Sequence, residues 1–589
     1  MIKSIMPQFH RVFALGAVAA FACLGTPPRV SDPNSKISPE LQRNVSGQEF
    51  DVIVQMKSDA VREARGRVMQ KATWRRHRLP VINAEAYRIA ASELAALAAD
   101  PDVEFIHKDH PLHATAFTGT ADYGWMTAIN AISPTATLPY DGTGIGVAIL
   151  DSGIDEDYDL KDSKGYSRIV YHENFAAGEK NAADGYGHGN HVAGIVAGNG
   201  QNSTGEKYDY TIRGLASNAN LINLRVLDSN GGGRDSDVIA AISRAISLKY
   251  KYNIRVLNLS LGRPISTACA TDLLCQAVES AWKAGIVVVV AAGNNGRDNS
   301  SGNDGYGTIT APGNSPSAIT VGAMNTVGTP DRIDDKLASY SSTGPSFIDH
   351  YAKPDLVAPG NRIISLRDSG STLDKSYPEN RVPKFIYSLT YAGEIPDYYQ
   401  LSGTSMAAPM VSAAAALLIQ QNPALTPDQV KARLMLTASK FSPGVSIAVD
   451  PSTGVAYTSH YDVFTTGAGY LDVQAALANR DLADLPARSP VAAYDAASGV
   501  AFLVGDPATV WDNRAKWGLS AVWGTNSVSP SRSVWNLTSI SSDGTTLATR
   551  SVWGLAIIGG PSAVWTSAGT GTPQTGVIGD LSISLNGEN

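Results

Sequence analysis

Val147-Ala148-Ile149-Leu150-Asp151-Ser152-Gly153-Ile154-Asp155 is the stretch on which the fold turns. Its apolar run reads as a strand buried on both faces, as strands of parallel sheets are. The run ends in Asp151, at the edge where ligand and catalytic groups of open α/β sheets gather. A single acid there also suits a loop or helix cap, so Asp151 alone decides nothing. Outward from it, strands are predicted at 221–226, 255–260, 286–292 and 318–323, and helices starting at His188, Ser236, Thr271, Thr404 and Thr426. Thr426-Pro427-Asp428-Gln429 supplies a capped start with proline at the first helical position. The alternation predicts an α/β domain over residues 120–480, a doubly wound parallel sheet that closes near Gly467-Ala468-Gly469-Tyr470-Leu471-Asp472.

The composition changes on either side. Residues 48–115 read as a small α+β unit: a strand Glu49–Met56, a charged helical stretch 58–77, an extended piece from Val81, a helix capped by Ser92, and a strand 103–107. Residues 25–47 are a flexible leader rich in Pro, Ser and Asn. Residues 1–24 read as an export signal, in which Lys3, His10 and Arg11 precede the apolar run 12–24 and Ala20-Phe21-Ala22 ends it with a small-x-small pattern. That run is too short for a bilayer, and no later run has transmembrane length. Cys23 opens lipid attachment as an alternative, but Ala20 and Phe21 suit simple cleavage better.

Residues 481–589 form a β/loop-rich tail of Ser, Thr and Gly that holds six of the nine tryptophans: Trp511, Trp517, Trp523, Trp535, Trp553 and Trp565. Pieces such as Ala521-Val522-Trp523-Gly524 and Ser551-Val552-Trp553-Gly554 recur too irregularly for a solenoid. Buried, these rings anchor short strands; exposed, they would bind a surface or polymer. Anchoring is the expected use. The chain of 589 residues, 43% hydrophobic and 17% charged, has material for a large core, and its net charge of −7 offers no footprint for nucleic acid. With Cys23 removed, Cys269 and Cys275 are an even pair in an oxidising compartment, either bridged or packed as thiols.

Gly187-His188-Gly189-Asn190-His191 admits two readings. The histidines could share a metal, although the metalloprotease pattern needs them four apart with a Glu between. Alternatively one is a general base and the other a packed helix residue. Gly403-Thr404-Ser405-Met406-Ala407-Ala408-Pro409 decides between them. A serine in a glycine-led turn entering a helix has its hydroxyl at the positive end of the dipole. Pro409 is expected in the first turn, where N–H groups lack helical partners, and the small residues 412–416 allow deep burial.

With Asp151, His188 and Ser405 in that order, the chain resembles the subtilase family of serine proteases. The resemblance spans roughly 141–477 and includes Asn258-Leu259-Ser260-Leu261-Gly262, Ala291-Ala292-Gly293-Asn294 and Lys353-Pro354-Asp355-Leu356-Val357-Ala358-Pro359-Gly360. It implies a subtilisin-like fold and a secreted or envelope-bound serine endopeptidase, monomeric and acting on polypeptides. Ser405 would be the nucleophile, His188 the base, Asp151 its orienting acid and Asn294 the side-chain donor to the oxyanion. Ser260, Leu261 and Gly262 match one substrate-pairing edge, and Gly231, Gly232 and Gly233 the other, which implies broad specificity through backbone pairing. Residues 48–115 resemble the family's inhibitory propeptide, with Asn83-Ala84-Glu85-Ala86-Tyr87 as one shared stretch and self-cleavage expected between about Leu112 and Trp125. The rival reading is a surface-binding protein with a Trp-rich tail and a vestigial protease core; the intact triad speaks against it.

The chain departs from the family in places. Asn190 replaces a usual Thr. Arg263 stands where a second Gly is common, either favouring acidic side chains in the P1 pocket or, as preferred here, pointing to solvent. Residues 362–400 form a long loop near the serine. The chemistry needs no cofactor. Asp159-Leu160 resembles a calcium-binding position, so a structural calcium at Asp159 stands beside a plain solvated acidic loop.

Overall fold

In a computed structural model, residues 36–42, 48–57, 62–114, 125–131, 138–299, 305–390, 395–440, 444–450, 454–495, 500–511, 519–523, 527–528 and 588 are described. The expected signal, Cys23 and most of the leader lie outside them.

The N-terminal unit runs β1 (Glu49–Met56), α1 (Arg62–Lys71), β2 (Ala72–Leu79), β3 (Ala84–Ala90), α2 (Leu94–Ala98) and β4 (Val103–Lys108), with strand order β2-β3-β1-β4. All its pairs are antiparallel. Val52, Val54, Tyr87, Ile89, Leu94, Leu97 and Ile106 close its own small core. The charged stretch predicted as one helix to His77 stops at Lys71, because Arg75, Arg76 and Arg78 sit on an edge strand, where charge is tolerated. Ser92 does not cap α2: Glu93 holds that position without a side-chain cap, after a short 3₁₀ turn.

After β5 (Pro111–Ala114) comes the large domain. Its strands include β6 (Gly146–Asp151), β7 (Ile169–Asn174), β8 (Asn220–Arg225), β9 (Gly232–Arg234), β10 (Ile254–Leu259), β11 (Leu261–Gly262), β12 (Val287–Ala291), β13 (Ile319–Asn325), β14 (Lys336–Leu337) and β15 (Leu356–Pro359), and two further antiparallel pairs join Ile363–Leu366 to Tyr398–Leu401 and Val445–Val449 to Ala456–His460. Eight of them form one sheet in the order β14-β13-β12-β10-β6-β8-β7, with β15 also on β13. Every pair is parallel except β13–β14. The predicted strands are present within a residue or two. The edge strand β7 alternates in exposure, and β15 spans only four residues and ends in Pro359, so neither carries the long apolar run that marks the others.

Helices α3 (His188–Ala197) and α6 (Thr404–Gln421) pack on each other and on the sheet, while α4 (Asp235–Tyr252) and α5 (Leu273–Lys283) form a second helical layer. This is the expected doubly wound α/β arrangement. Helix α7 (Pro427–Thr437) starts with a full capping box: Thr426 Oγ1 accepts from Gln429 N and Gln429 Oε1 from Thr426 N. The N-terminal unit lies on α4. Asp51 pairs with Arg234 at 2.8 Å, Arg76 and His77 with Asp237, and Asp109 accepts from Ser236 N at 2.8 Å. Burial next to Asp235 and Asp237 pushes Asp109 up to about 7.

Of the tail, Ser489 is buried and donates to Asp355. Trp511 and Trp523 are buried as well, with Trp511 Nε1 donating to Arg488 O at 2.6 Å. These two rings act as anchors; Trp517, Trp535, Trp553 and Trp565 lie outside the described residues.

Candidate active site

Asp151 is the last residue of β6, His188 the first of α3, and Ser405 lies in the first turn of α6; all three are buried. Asp151 Oδ1 lies 2.7 Å from His188 Nδ1. That contact orients the ring and leaves Nε2, buried and without a hydrogen-bond partner among the described residues, as the free ring nitrogen. The two glycines beside His188 each do a separate job. Gly187 takes φ +100°, and a side chain on Gly189 would meet Gly153 O at 2.0 Å, so helix α3 can start only against the turn that follows Asp151.

His191 is no metal ligand. Its Nε2 reaches Ile363 O and Tyr399 O, each at 3.1 Å, and burial beside His188 pulls it down to about 3, a neutral ring at working pH. Among the described residues no cluster of three His, Cys, Asp or Glu could hold a metal. Asp159, the calcium candidate, does not fit one: Asn202 N donates to its Oδ1 and the Tyr398 hydroxyl to its Oδ2. Burial there, with Asp157 nearby, raises Asp159 to about 7.

Asn294 follows β12 in a turn. Its Oδ1 accepts from Thr404 N at 3.0 Å and Thr404 Oγ1 at 2.9 Å, while its Nδ2 is buried without an acceptor among the described residues. An amide held by its oxygen in this way offers its N–H₂ to one direction only. Pro409 lies deeper in α6 than predicted, at its sixth position. The helical partner it cannot serve is Ser405 O, which accepts from Ser260 Oγ at 2.9 Å instead. Asn258 Nδ2 donates to that same Ser260 oxygen at 2.9 Å, and Ser412 to Asn258 Oδ1 at 2.8 Å. The buried serines under the nucleophile turn thus replace the missing backbone bond. The Ser405 hydroxyl donates to Ser260 O at 3.0 Å.

The two predicted edges enclose an extended strand. β5 pairs antiparallel with β11 on one side (Leu261 opposite Ala114, Gly262 opposite His113) and with β9 on the other (Gly232 opposite His113, Gly233 opposite Leu112). Gly231 sits just outside, in a turn at φ +77°, where a side chain would meet the Tyr186 ring at 2.8 Å.

Arg263 does not point to solvent. It is buried between two carboxylates, Asp235 (2.9 Å) and Asp272 (2.7 Å), and it reaches neither solvent nor an open pocket. Once Asp235 and Asp272 are buried, each needs a cation, and the guanidinium supplies it to both. Asp272 also caps α5, and Cys275 in the first turn of that helix is disulfide-bonded to Cys269. Asp184 was missed. Its carboxylate accepts from Ser152 Oγ, Gly187 N and Asn190 N, clamping the loop that presents His188, and burial with Asp151 nearby holds it at about 6. Its only sequence signal is an Asp three residues before a Gly, common to many turns. Asn190 accepts from Asp155 N at 2.6 Å.

A sequence profile of the subtilase family matches residues 142–469. The chain belongs to the subtilase family. Among subtilases it is 40% identical over 299 residues to the serine protease AprX of Bacillus subtilis (strain 168), covering 49% of this chain and 60% of AprX. With subtilisin E of the same strain it shares 33% over 387 residues, 65% of this chain and 81% of subtilisin E. The subtilase fold is that of fervidolysin from Fervidobacterium pennivorans, a keratinolytic enzyme related to subtilisin (TM-score 0.52, 21% identity, 74% of this chain and 62% of that one). Membership places the chain among serine endopeptidases, which are hydrolases. Among the described residues no helix is long and apolar enough to cross a membrane.

Proposed function

We propose that this subtilase is an exported endopeptidase made as a self-processing precursor, with residues 48–115 as its inhibitory propeptide. The observation that carries the reading is β5 lying between β9 and β11 as the middle strand of an antiparallel sheet. Backbone pairing on both sides is how an extended peptide is held irrespective of its side chains. A strand held in that place is both the inhibitor and the first substrate. Cleavage then falls shortly beyond Ala114, inside the window from Leu112 to Trp125, whose residues 115–124 lie outside the described set.

The chemistry follows from the groups in place. The Ser405 hydroxyl turns from Ser260 O to His188 Nε2, gives up its proton there and attacks the peptide carbonyl. Asp151 stabilises the imidazolium that forms. The carbonyl oxygen, now an anion, is met by Asn294 Nδ2 and the Ser405 backbone N–H. His188 returns the proton to the leaving amine, and the C–N bond breaks to leave an acyl-enzyme. Water, deprotonated by the same ring, hydrolyses it and restores the Ser405 hydroxyl.

Expression of the precursor with and without Ser405→Ala tests this. Wild type should release a fragment ending between 112 and 125 and then degrade an unfolded protein, and the variant should stay intact. A wild-type chain that folds but does neither overturns the reading.

A further inference from the structure

Glu588 belongs to the tail, yet it is fully buried against the large domain. Its carboxylate accepts from Arg297 Nη2 at 3.0 Å, from Ser339 N at 2.9 Å and from the Ser339 hydroxyl. Its main chain is gripped too. Glu588 N donates to Asn361 Oδ1 at 3.2 Å, and its carbonyl accepts from Asn361 Nδ2 at 3.1 Å and Asn325 Nδ2 at 3.3 Å. Arg297 is itself braced, with Asp450 at 2.6 Å and the Tyr457 ring 4.4 Å away.

These donors come from four separate segments: the turn after β12, the end of β13, the stretch after β14 and the turn after β15. All four converge on one residue. Without a carboxylate there, a buried N–H and a buried guanidinium arm would lose their acceptor, a cost that folded proteins rarely carry. The main-chain grip by Asn361 and Asn325 requires a peptide, and the Arg297–Ser339 pair requires an acid on it.

We propose that Arg297, Ser339, Asn325 and Asn361 form a socket for a glutamate-bearing chain segment, and that the tail docks on the protease through Glu588. The socket is independent of the proteolytic reading and is tested without turnover.

The full chain carrying Ser405→Ala is compared with the same chain also carrying Glu588→Ala. Loss of the carboxylate should speed amide exchange at Ser339 at least about tenfold. A labelled, amidated peptide of residues 581–589 should then bind the emptied chain and not its parent. The same peptide with Gln for Glu588 should bind at least about thirtyfold more weakly, the loss expected when a buried charge pair is broken. Should Glu588→Ala unfold the chain, Glu588→Gln carries the same exchange comparison. Unchanged exchange at Ser339, equal peptide binding by both chains, equal binding of the Glu and Gln peptides, or no binding each overturn the proposal.

Discussion

Asn294 allows structural support and catalytic stabilisation to be separated in one residue. Its oxygen is occupied by two donors from Thr404, whereas its nitrogen has no partner among the described residues. Asn294→Asp keeps the acceptor that Thr404 needs and removes the N–H donor, so the turn should stand while the oxyanion loses its side-chain donor. Asn294→Ala removes both functions and leaves the Thr404 N–H and hydroxyl without their acceptor. A buried neutral donor aimed at a developing oxyanion contributes about 2.7–4 kcal/mol, or about 10²–10³ in kcat. A donor that bonds the oxyanion more strongly than the ground-state carbonyl acts on kcat, so KM should move less than about threefold in both variants. The Ala variant should in addition lose about 1–3 kcal/mol of stability from the unmet Thr404 groups, and the Asp variant should not show that particular loss. Thr404→Ala, which keeps the backbone N–H bond to Asn294 but loses the hydroxyl's, should cost about tenfold at most. The assay is kcat and KM on a chromogenic peptide with matured enzyme, beside urea unfolding of each variant in the Ser405→Ala background. A loss below tenfold in both Asn294 variants, or a loss carried by KM, refutes the assignment.

Other outcomes follow from the same structure. Arg263→Ala leaves Asp235 and Asp272 buried without their cation and should cost about 3–5 kcal/mol in urea unfolding; a cost under 1 kcal/mol would mean that the residue reaches water after all. Reduction of the Cys269–Cys275 bridge, which closes a short loop, should cost about 2 kcal/mol and add two hydrogens to the intact mass. His191 titrates near 3 when folded against about 6.5 when unfolded, so the unfolded chain binds the extra proton between those values. Its contribution is complete above pH 6.5 and is lost as pH falls, by about 1.4 kcal/mol per unit, and His191→Gln should flatten the acid limb of stability relative to wild type. A calcium chelator should leave the melting temperature unchanged, because Asp159 is already satisfied by Asn202 and Tyr398; a clear drop would overturn that reading of Asp159.

What the amino-acid order determined alone is whatever depends on neighbours in the chain. The apolar runs ending in Asp151 and Asn294, the capping box at Thr426 and the glycines around His188 and Ser405 are local patterns with local physical causes. They were enough for the parallel sheet, its helices and the candidate triad. The tertiary structure decided whatever depends on partners far along the chain. Arg263 looked like a surface residue until Asp235 and Asp272 closed on it from two helix starts. Pro409 is tolerated inside a helix because Ser260, 145 residues away in sequence, supplies a donor to Ser405 O. Asp184, Thr404 and Glu588 acquire their tasks in the same way. Hydrogen-bond donors and acceptors must be satisfied wherever the fold buries them, and only the fold determines which distant group does it.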